Sequence, residues 1–235
     1  MKAMILAAGR GERMRPLTDD CPKPLLMAGG KPLIVWHIER LRDAGIRELV
    51  INHAHLGHQL EAALGDGSAL GVSIAWSPET SALETAGGIR KALPLLGDSA
   101  FIAVNGDVYC DVDFTALQTA AKCLGASADL AHLVLVANPE HNVDGDFALE
   151  AGRVLAQGAP RLTFSGVGAY HPQLFGELAA DVPAKLAPLL RLAMEAGRVS
   201  GIVHTGRWID VGTPQRLEAL DALLTRAARP TERPS

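Results

Sequence analysis

The stretch Met4-Ile5-Leu6-Ala7-Ala8-Gly9-Arg10-Gly11-Glu12-Arg13-Met14-Arg15-Pro16-Leu17-Thr18 passes without a break from a wholly apolar segment into a loop of glycines and cations. Met4 to Ala7 shows no polar alternation, which suits a strand covered on both faces, as in a parallel sheet. The loop then leaves the C-terminal end of that strand, where open α/β sheets bind their ligands. Gly9 and Gly11 lack a Cβ, so backbone N–H groups there can approach phosphate oxygens. Arg13 adds a planar, permanently charged donor fork. A Walker loop is excluded because no Gly-Lys-Ser/Thr is present, and the dinucleotide fingerprint fails because Met14 stands where its third glycine belongs. A bare G-x-G serves equally well as a structural turn, so the downstream residues decide.

The same rhythm continues outward. Leu49 to Ile51, Phe101 to Val104 and Leu133 to Val136 are further apolar strand segments. Helical patterns lie between them at Pro32 to Ala44, His55 to Leu64, Gly87 to Leu96 and Phe114 to Leu124. In the first of these Leu33, Trp36, Ile38 and Leu41 form a 3.6-residue stripe, with Pro32 in the first turn and Gly45 as the stop. This order predicts an α/β, Rossmann-like, mostly parallel sheet with helices on both faces. Beyond Asn138-Pro139 the runs shorten: β-type near Phe147 to Glu150 and Leu162 to Tyr170, helical at Ala184 to Ala196 and Pro214 to Ala227, with Val199 to His204 between the two helical patterns. They read as a small insertion covering the sheet, within a single domain over 1–227 followed by a flexible tail at 228–235.

The chain has 235 residues, of which 48% are apolar and only 4% aromatic, so its core must be built from Ala, Leu, Val and Ile. A net charge of -4 and a pI near 6.1 leave no basic footprint for nucleic acid. Phosphate chemistry must rest instead on a few placed cations and a metal. Cys21, Cys110 and Cys123 are widely spaced, form no C-x-x-C pair, and read as thiols in a reducing compartment. No apolar stretch approaches the roughly 20 residues of a membrane span, and the short run before Arg10 and Arg13 is no signal peptide. A cytoplasmic protein without a membrane partner is expected.

After the glycine loop comes Pro22-Lys23-Pro24-Leu25. A lysine between two prolines sits on a stiff, extended backbone that holds its ammonium in place. The apolar strand ending in Val104-Asn105-Gly106-Asp107 delivers a carboxylate to the edge that carries the loop, and Trp208-Ile209-Asp210-Val211-Gly212-Thr213-Pro214 presents another. Hard carboxylate oxygens are what magnesium prefers, with phosphate and water completing its octahedron. Taken singly, either aspartate also serves as a turn or helix cap. His53, His55 and His58 lack a carboxylate or cysteine at zinc spacing and read as helix-surface residues. Leu83-Glu84-Thr85-Ala86-Gly87-Gly88 opens a helix whose free N–H groups suit a ligand, or a cap alone.

The combination Leu6-Ala7-Ala8-Gly9-x-Gly11-x-Arg13-Met14-x-Pro16-Leu17-Thr18 with Pro22-Lys23-Pro24-Leu25 resembles the signature of the sugar-1-phosphate nucleotidyltransferases, and the likeness runs to about residue 225. The resemblance implies a GT-A-like fold, Mg2+, and the joining of a nucleoside triphosphate to a sugar 1-phosphate with release of pyrophosphate. It implies catalytic roles for Arg13 and Lys23 and places the magnesium carboxylates at Asp107 and Asp210. Ala7, Ala8, Gly9, Gly11, Glu12, Arg13, Lys23, Thr85, Gly88 and Asn105 are the implied nucleotide contacts; Glu84, Gly145, Glu150, Ser165 and Gly166 are the implied sugar-side contacts. There are departures. Glu12 stands where many members carry Thr or Ser, and Glu84 replaces a usual Gly. The frequent Glu-Lys-Pro is replaced by Gln157-Gly158-Ala159-Pro160-Arg161, leaving Arg161 as a candidate sugar-phosphate cation. Within the family, Leu-Glu-Thr-x-Gly-Gly, Val-Asn-Gly-Asp-Val and Asn-His-Ala-x-Leu-Gly, with no acyltransferase repeats following, most resemble the uridylyltransferases of N-acetylmuramate 1-phosphate. That implies UTP as donor and a role in peptidoglycan recycling. Mannose-1-phosphate guanylyltransferases are the main alternative, followed by glucose-1-phosphate or phosphocholine-type enzymes. A catalytically silent nucleotide-sugar binder would be a different class, and it would not require Lys23 and both aspartates.

Overall fold

The computed structural model describes residues 1–228, so all but the first residue of the expected tail lies outside the described residues. The strands are β1 (Lys2–Leu6), β2 (Met27–Ala28), β3 (Lys31–Pro32), β4 (Glu48–His53), β5 (Ser73–Pro78), β6 (Phe101–Asn105), β7 (Val108–Cys110), β8 (Ala131–Val136), β9 (Phe147–Glu150), β10 (Arg153–Leu155), β11 (Arg161–Tyr170), β12 (Val199–Val203) and β13 (Trp208–Asp210). The helices are α1 (Leu33–Asp43), α2 (Gly57–Leu64), α3 (Glu84–Leu96), α4 (Phe114–Cys123), α5 (Leu186–Glu195) and α6 (Pro214–Ala228). Among the described residues no helix is long and apolar enough to cross a membrane.

The apolar strands are buried on both faces because successive side chains point opposite ways. In β1, Ala3 and Ile5 enter one core while Met4 enters the other; Leu49 and Ile51 against Val50 in β4 do the same. Helices α1, α2 and α4 cover the first face, and α3 and α5 the second. A third cluster clamps α6, through Leu220 and Leu224, onto Met14, Leu26 and Tyr109. It ties the end of the chain to the glycine loop at the beginning.

Nine strands form one sheet in the order β5-β4-β1-β6-β11-β8-β12-β10-β9. The expectation of a mostly parallel sheet holds for only part of it. Strands β5, β4, β1 and β6 are parallel, whereas β11 runs antiparallel to β6, β8 and β9, and β10 antiparallel to β12 and β9. The fold is thus mixed α/β. The cause is connection length: a parallel step needs a crossover of a dozen or more residues, whereas β9 turns directly into β10. The later strands also extend the sheet and do not cover it as an insertion. Strand β11 is wedged between β6 and β8, so both halves of the chain share one sheet.

Candidate active site

The C-terminal ends of the parallel strands meet at one edge. Leu6 is level with Asn52 on β4 and with Asn105 on β6, and a cleft of about 480 Å³ opens above them. Its walls include Ala7, Ala8, Gly9, Gly11, Glu12, Arg13, Lys23, Glu84, Thr85, Asn105 and Asp107, together with Arg10, Asn52 and Gly212.

The glycine loop is held from below. Met14 is fully buried in the third cluster, its N–H donates to Gly11 O at 2.8 Å, and the buried Thr18 hydroxyl donates to the same carbonyl at 2.8 Å. Anchoring Met14 leaves Arg10 and Arg13 at the rim, and neither has a carboxylate partner among the described residues. Asn52 accepts the Ala7 N–H at 2.9 Å and donates to Glu79 Oε1 at 2.6 Å, while Glu79 Oε2 accepts the Leu83 N–H at 2.9 Å. This buried relay fixes the loop to the turn that opens α3. Sequence reading missed Asn52 and Glu79, although a polar residue closing an apolar strand, the signal that marked Asn105 and Asp107, was present at Asn52.

Lys23 does not sit on an extended backbone. Lys23–Leu25 form a 3-10 turn, with the Leu25 N–H donating to Pro22 O at 2.8 Å, and Pro24 lies where a free N–H would have had no partner. The turn still holds the side chain rigidly. Lys23 Nζ donates to Asp107 Oδ2 at 2.8 Å, its side chain only 7% exposed beneath a carboxylate that is 40% exposed. The ammonium therefore lies on the cleft floor, and the carboxylate faces outward.

Strand β13 pairs with β7 so that Asp210 is opposite Val108, and the Val211 N–H donates to Asp107 O at 3.0 Å. Neighbouring register thus brings the two distant aspartates together. Asp210 Oδ2 accepts from Arg216 Nη1 at 2.8 Å, and His141 Nε2 lies 3.1 Å from the same oxygen. A Cβ at Gly212 would lie 3.0 Å from Asp210 Oδ2 and 3.2 Å from Arg13 Nη2, so the loop arginine and the second aspartate converge on a space only glycine leaves open. Among the described residues no three His, Cys, Asp or Glu side chains form a metal cage. The exposed carboxylate of Asp107 at the cleft, with the more buried Asp210 on the paired strand, nevertheless fits magnesium, which takes one or two protein oxygens and fills its remaining positions with phosphate and water.

The remaining expected residues are placed unequally. Glu84 and Thr85 line the cleft, and Glu84 has φ +59°, a left-handed region that favours glycine. Gly88 lies beneath, packed on Glu79 and Asn52. Gly166, at φ +76°, presses on the Asn105 side chain. The Ser165 hydroxyl is not offered to a ligand: it is buried in the β11 bulge, donating to Val134 O at 2.6 Å and accepting the Val167 N–H at 3.1 Å. Its carbonyl accepts from Trp208 Nε1 at 2.8 Å, which joins β11 to β13. Gly145 forms a turn against the Arg161 backbone, and Glu150 ends β9 at the far edge of the sheet. Arg161 turns its guanidinium to the Asp146 carbonyl, so it is a loop brace and not a free cation. His53 is no helix-surface residue either; it is buried on β4, paired with Glu61 at 2.7 Å and edge-on to Trp76.

Two titratable groups lie under the β7–β13 pair. His37 of α1 is fully buried and donates from Nε2 to Val108 O at 2.6 Å, and burial pushes its pKa down to about 4. It is a neutral support for the strand that carries Asp107. Burial pushes the Cys110 thiol up to about 11, which makes it an inert core group.

With this geometry in view, comparison with known proteins is informative. Residues 2–145 match the family model described as nucleotidyl transferase. The chain is 60% identical over 227 residues to N-acetylmuramate alpha-1-phosphate uridylyltransferase of Neisseria meningitidis serogroup B, covering 95% of this chain and 98% of the relative. It is 34% identical to the protein of the same name from Caulobacter vibrioides, covering 96% and 97% respectively. A crystal structure of a putative glucose-1-phosphate thymidylyltransferase from Bacillus anthracis shares the fold, with a TM-score of 0.84 at 21% identity over 96% of this chain and 95% of that one. The family match covers the glycine loop, Lys23 and Asp107, and the longer alignments reach across β13 and Asp210, so the chain belongs to the nucleotidyl transferase family.

Proposed function

We propose that this chain transfers a uridylyl group from UTP to N-acetylmuramate 1-phosphate, giving UDP-N-acetylmuramate and pyrophosphate, in the cytoplasmic recycling of peptidoglycan. The observation that carries the chemistry is Lys23 seated on Asp107 below the Gly9–Gly11 loop, with Arg13 and Asp210 closing on the same space. The choice of acceptor rests on the 60% identity to the Neisseria uridylyltransferase over nearly its full length. A GT-A-like catalytic domain spanning 1–227 goes with that reading.

An oxygen of the acceptor phosphate attacks the α-phosphorus of UTP as the bond to the departing pyrophosphate breaks. The protein contributes position and charge. Backbone N–H groups of the glycine loop hold the triphosphate, Arg13 takes charge on the leaving pyrophosphate, and Lys23 moves its ammonium from Asp107 toward the α-phosphate. Asp107 and Asp210 would hold Mg2+, which would supply charge neutralisation to the phosphates. Glu84 and Thr85 face the nucleoside, and Asn105 and Gly166 mark the boundary to the sugar.

A pyrophosphate-release assay across four triphosphates and a panel of sugar 1-phosphates tests the proposal. Turnover with UTP and N-acetylmuramate 1-phosphate is expected to lead. Activity confined to GTP with mannose 1-phosphate would move the assignment to a guanylyltransferase, and no turnover with any pair would leave a silent binder.

A further inference from the structure

The loop between β8 and β9 is held by polar side chains that bond to one another and to nearby backbone groups. Asn138 Nδ2 donates to Val143 O and Arg161 O, both at 3.0 Å. Asn142 Nδ2 donates to Asp146 Oδ2 and Thr163 Oγ1, both at 3.1 Å, and Asp146 Oδ2 also accepts the Phe164 N–H at 2.8 Å. The Thr163 hydroxyl closes the set on Asn138 Oδ1 at 2.9 Å. Such internal bonding stiffens a surface segment that has no apolar anchor of its own, since Val143 is 69% exposed. From this braced loop His141 reaches Asp210 Oδ2, the oxygen that Arg216 also holds from α6.

We infer that His141 is a positioning residue that couples the acceptor-side loop to the metal carboxylate. Two side chains from separate segments approach Asp210 through Oδ2, which leaves its other oxygen for a metal. Arg216 comes from a helix clamped in the third core, so its contribution is constant. His141 comes from the loop beside β11, so its contact with Asp210 depends on how that loop is seated. The inference rests on the proposed role of Asp210 as a metal ligand. Partners that orient a ligating carboxylate typically change metal affinity 10–100-fold when removed.

The test uses Mn2+ as a spin probe, titrated by EPR into the full-length protein with a non-hydrolysable UTP analogue. His141→Leu should weaken Mn2+ binding about tenfold. His141→Gln, which retains a donor near the Nε2 position, should restore it to within about threefold, a rescue that loss of packing alone would not give. The Asn142 side chain bonds to neither the His141 side chain nor Asp210, yet by loosening the loop Asn142→Ala should weaken Mn2+ in the same direction. Wild-type binding in His141→Leu or Asn142→Ala overturns the coupling, as does a Gln variant no better than Leu. Should His141→Leu fail to fold, the Gln and Asn142 variants decide. Asp210→Asn separates the two layers: unchanged Mn2+ binding there would remove Asp210 from the metal site and sink the underlying reading, not only the coupling.

Discussion

In the parallel half of the sheet, helical crossovers α1, α2 and α3 return the chain each time to the same end, so Leu6, Asn52, Ser77 and Asn105 stand level along one edge. In the antiparallel half, β9, β10 and β11 follow one another through short turns, with β9 running opposite to both β10 and β11. The first arrangement makes a triphosphate site from topology alone, because every strand end arrives at the cleft. The second must bring its groups there by a bulge at Ser165-Gly166 and by a loop braced with Asn, Asp and Thr. Substitutions on the parallel side should therefore affect chemistry and phosphate binding, while those on the antiparallel side should first affect structure.

Lys23→Ala gives the largest expected effect. Removing the cation on the cleft floor should cut turnover 100-fold or more, on the order of 3 kcal/mol of barrier, measured by pyrophosphate release. Retained turnover would remove Lys23 from the mechanism.

The support under the β7–β13 pair has a pH signature. His37 titrates near its ordinary value of 6.5 when unfolded but is pushed down to about 4 when folded. Between those values the unfolded chain takes up the proton and the native state does not, so stability falls with pH through that window. The slope approaches 1.4 kcal/mol per pH unit and totals about 3 kcal/mol. Urea titrations at several pH values should show it, and His37→Gln should flatten it; an unaltered slope would assign it to other groups.

Two glycines set the halves directly against each other. A Cβ at Gly166 would fall 2.6 Å from Asn105 Nδ2 on a backbone at φ +76°, whereas one at Gly9 would meet nothing within 4 Å. Gly166→Ala should destabilise the fold by about 2 kcal/mol in thermal or urea unfolding. Gly9→Ala should leave stability within about 0.5 kcal/mol while raising KM for UTP about tenfold, because the added methyl occupies space meant for phosphate. An equal loss of stability in both would erase the contrast. The smallest effect is expected at Glu84→Gly, where relief of a left-handed backbone should stabilise the protein by no more than about 1 kcal/mol, read from the unfolding midpoint.

Much of this arrangement was legible before any coordinates. The apolar runs at Met4, Leu49, Phe101 and Leu133 became β1, β4, β6 and β8, since a strand buried on both faces needs continuous apolar residues whatever its neighbours are. The glycine loop, Lys23, Asp107 and Glu84 line or floor the cleft because each follows a strand or opens a helix at the ligand-binding edge. The direction of β11, the buried fate of Ser165 and the inward turn of Arg161 were not legible. Each depends on which strand becomes a neighbour, and local pattern carries no such information.

Sequence alone determined the residue types that phosphate and magnesium demand and the local backbone that presents them: glycine where a Cβ would intrude, a lysine stiffened by prolines, an acid at a strand end. Tertiary structure alone decided that Asp210 meets Asp107, that Asn52 and Glu79 brace the loop, and that His141 and Arg216 share one carboxylate oxygen. These contacts join segments far apart along the chain through strand register and helix packing, which are set by the burial of the whole core and not by any local run of residues.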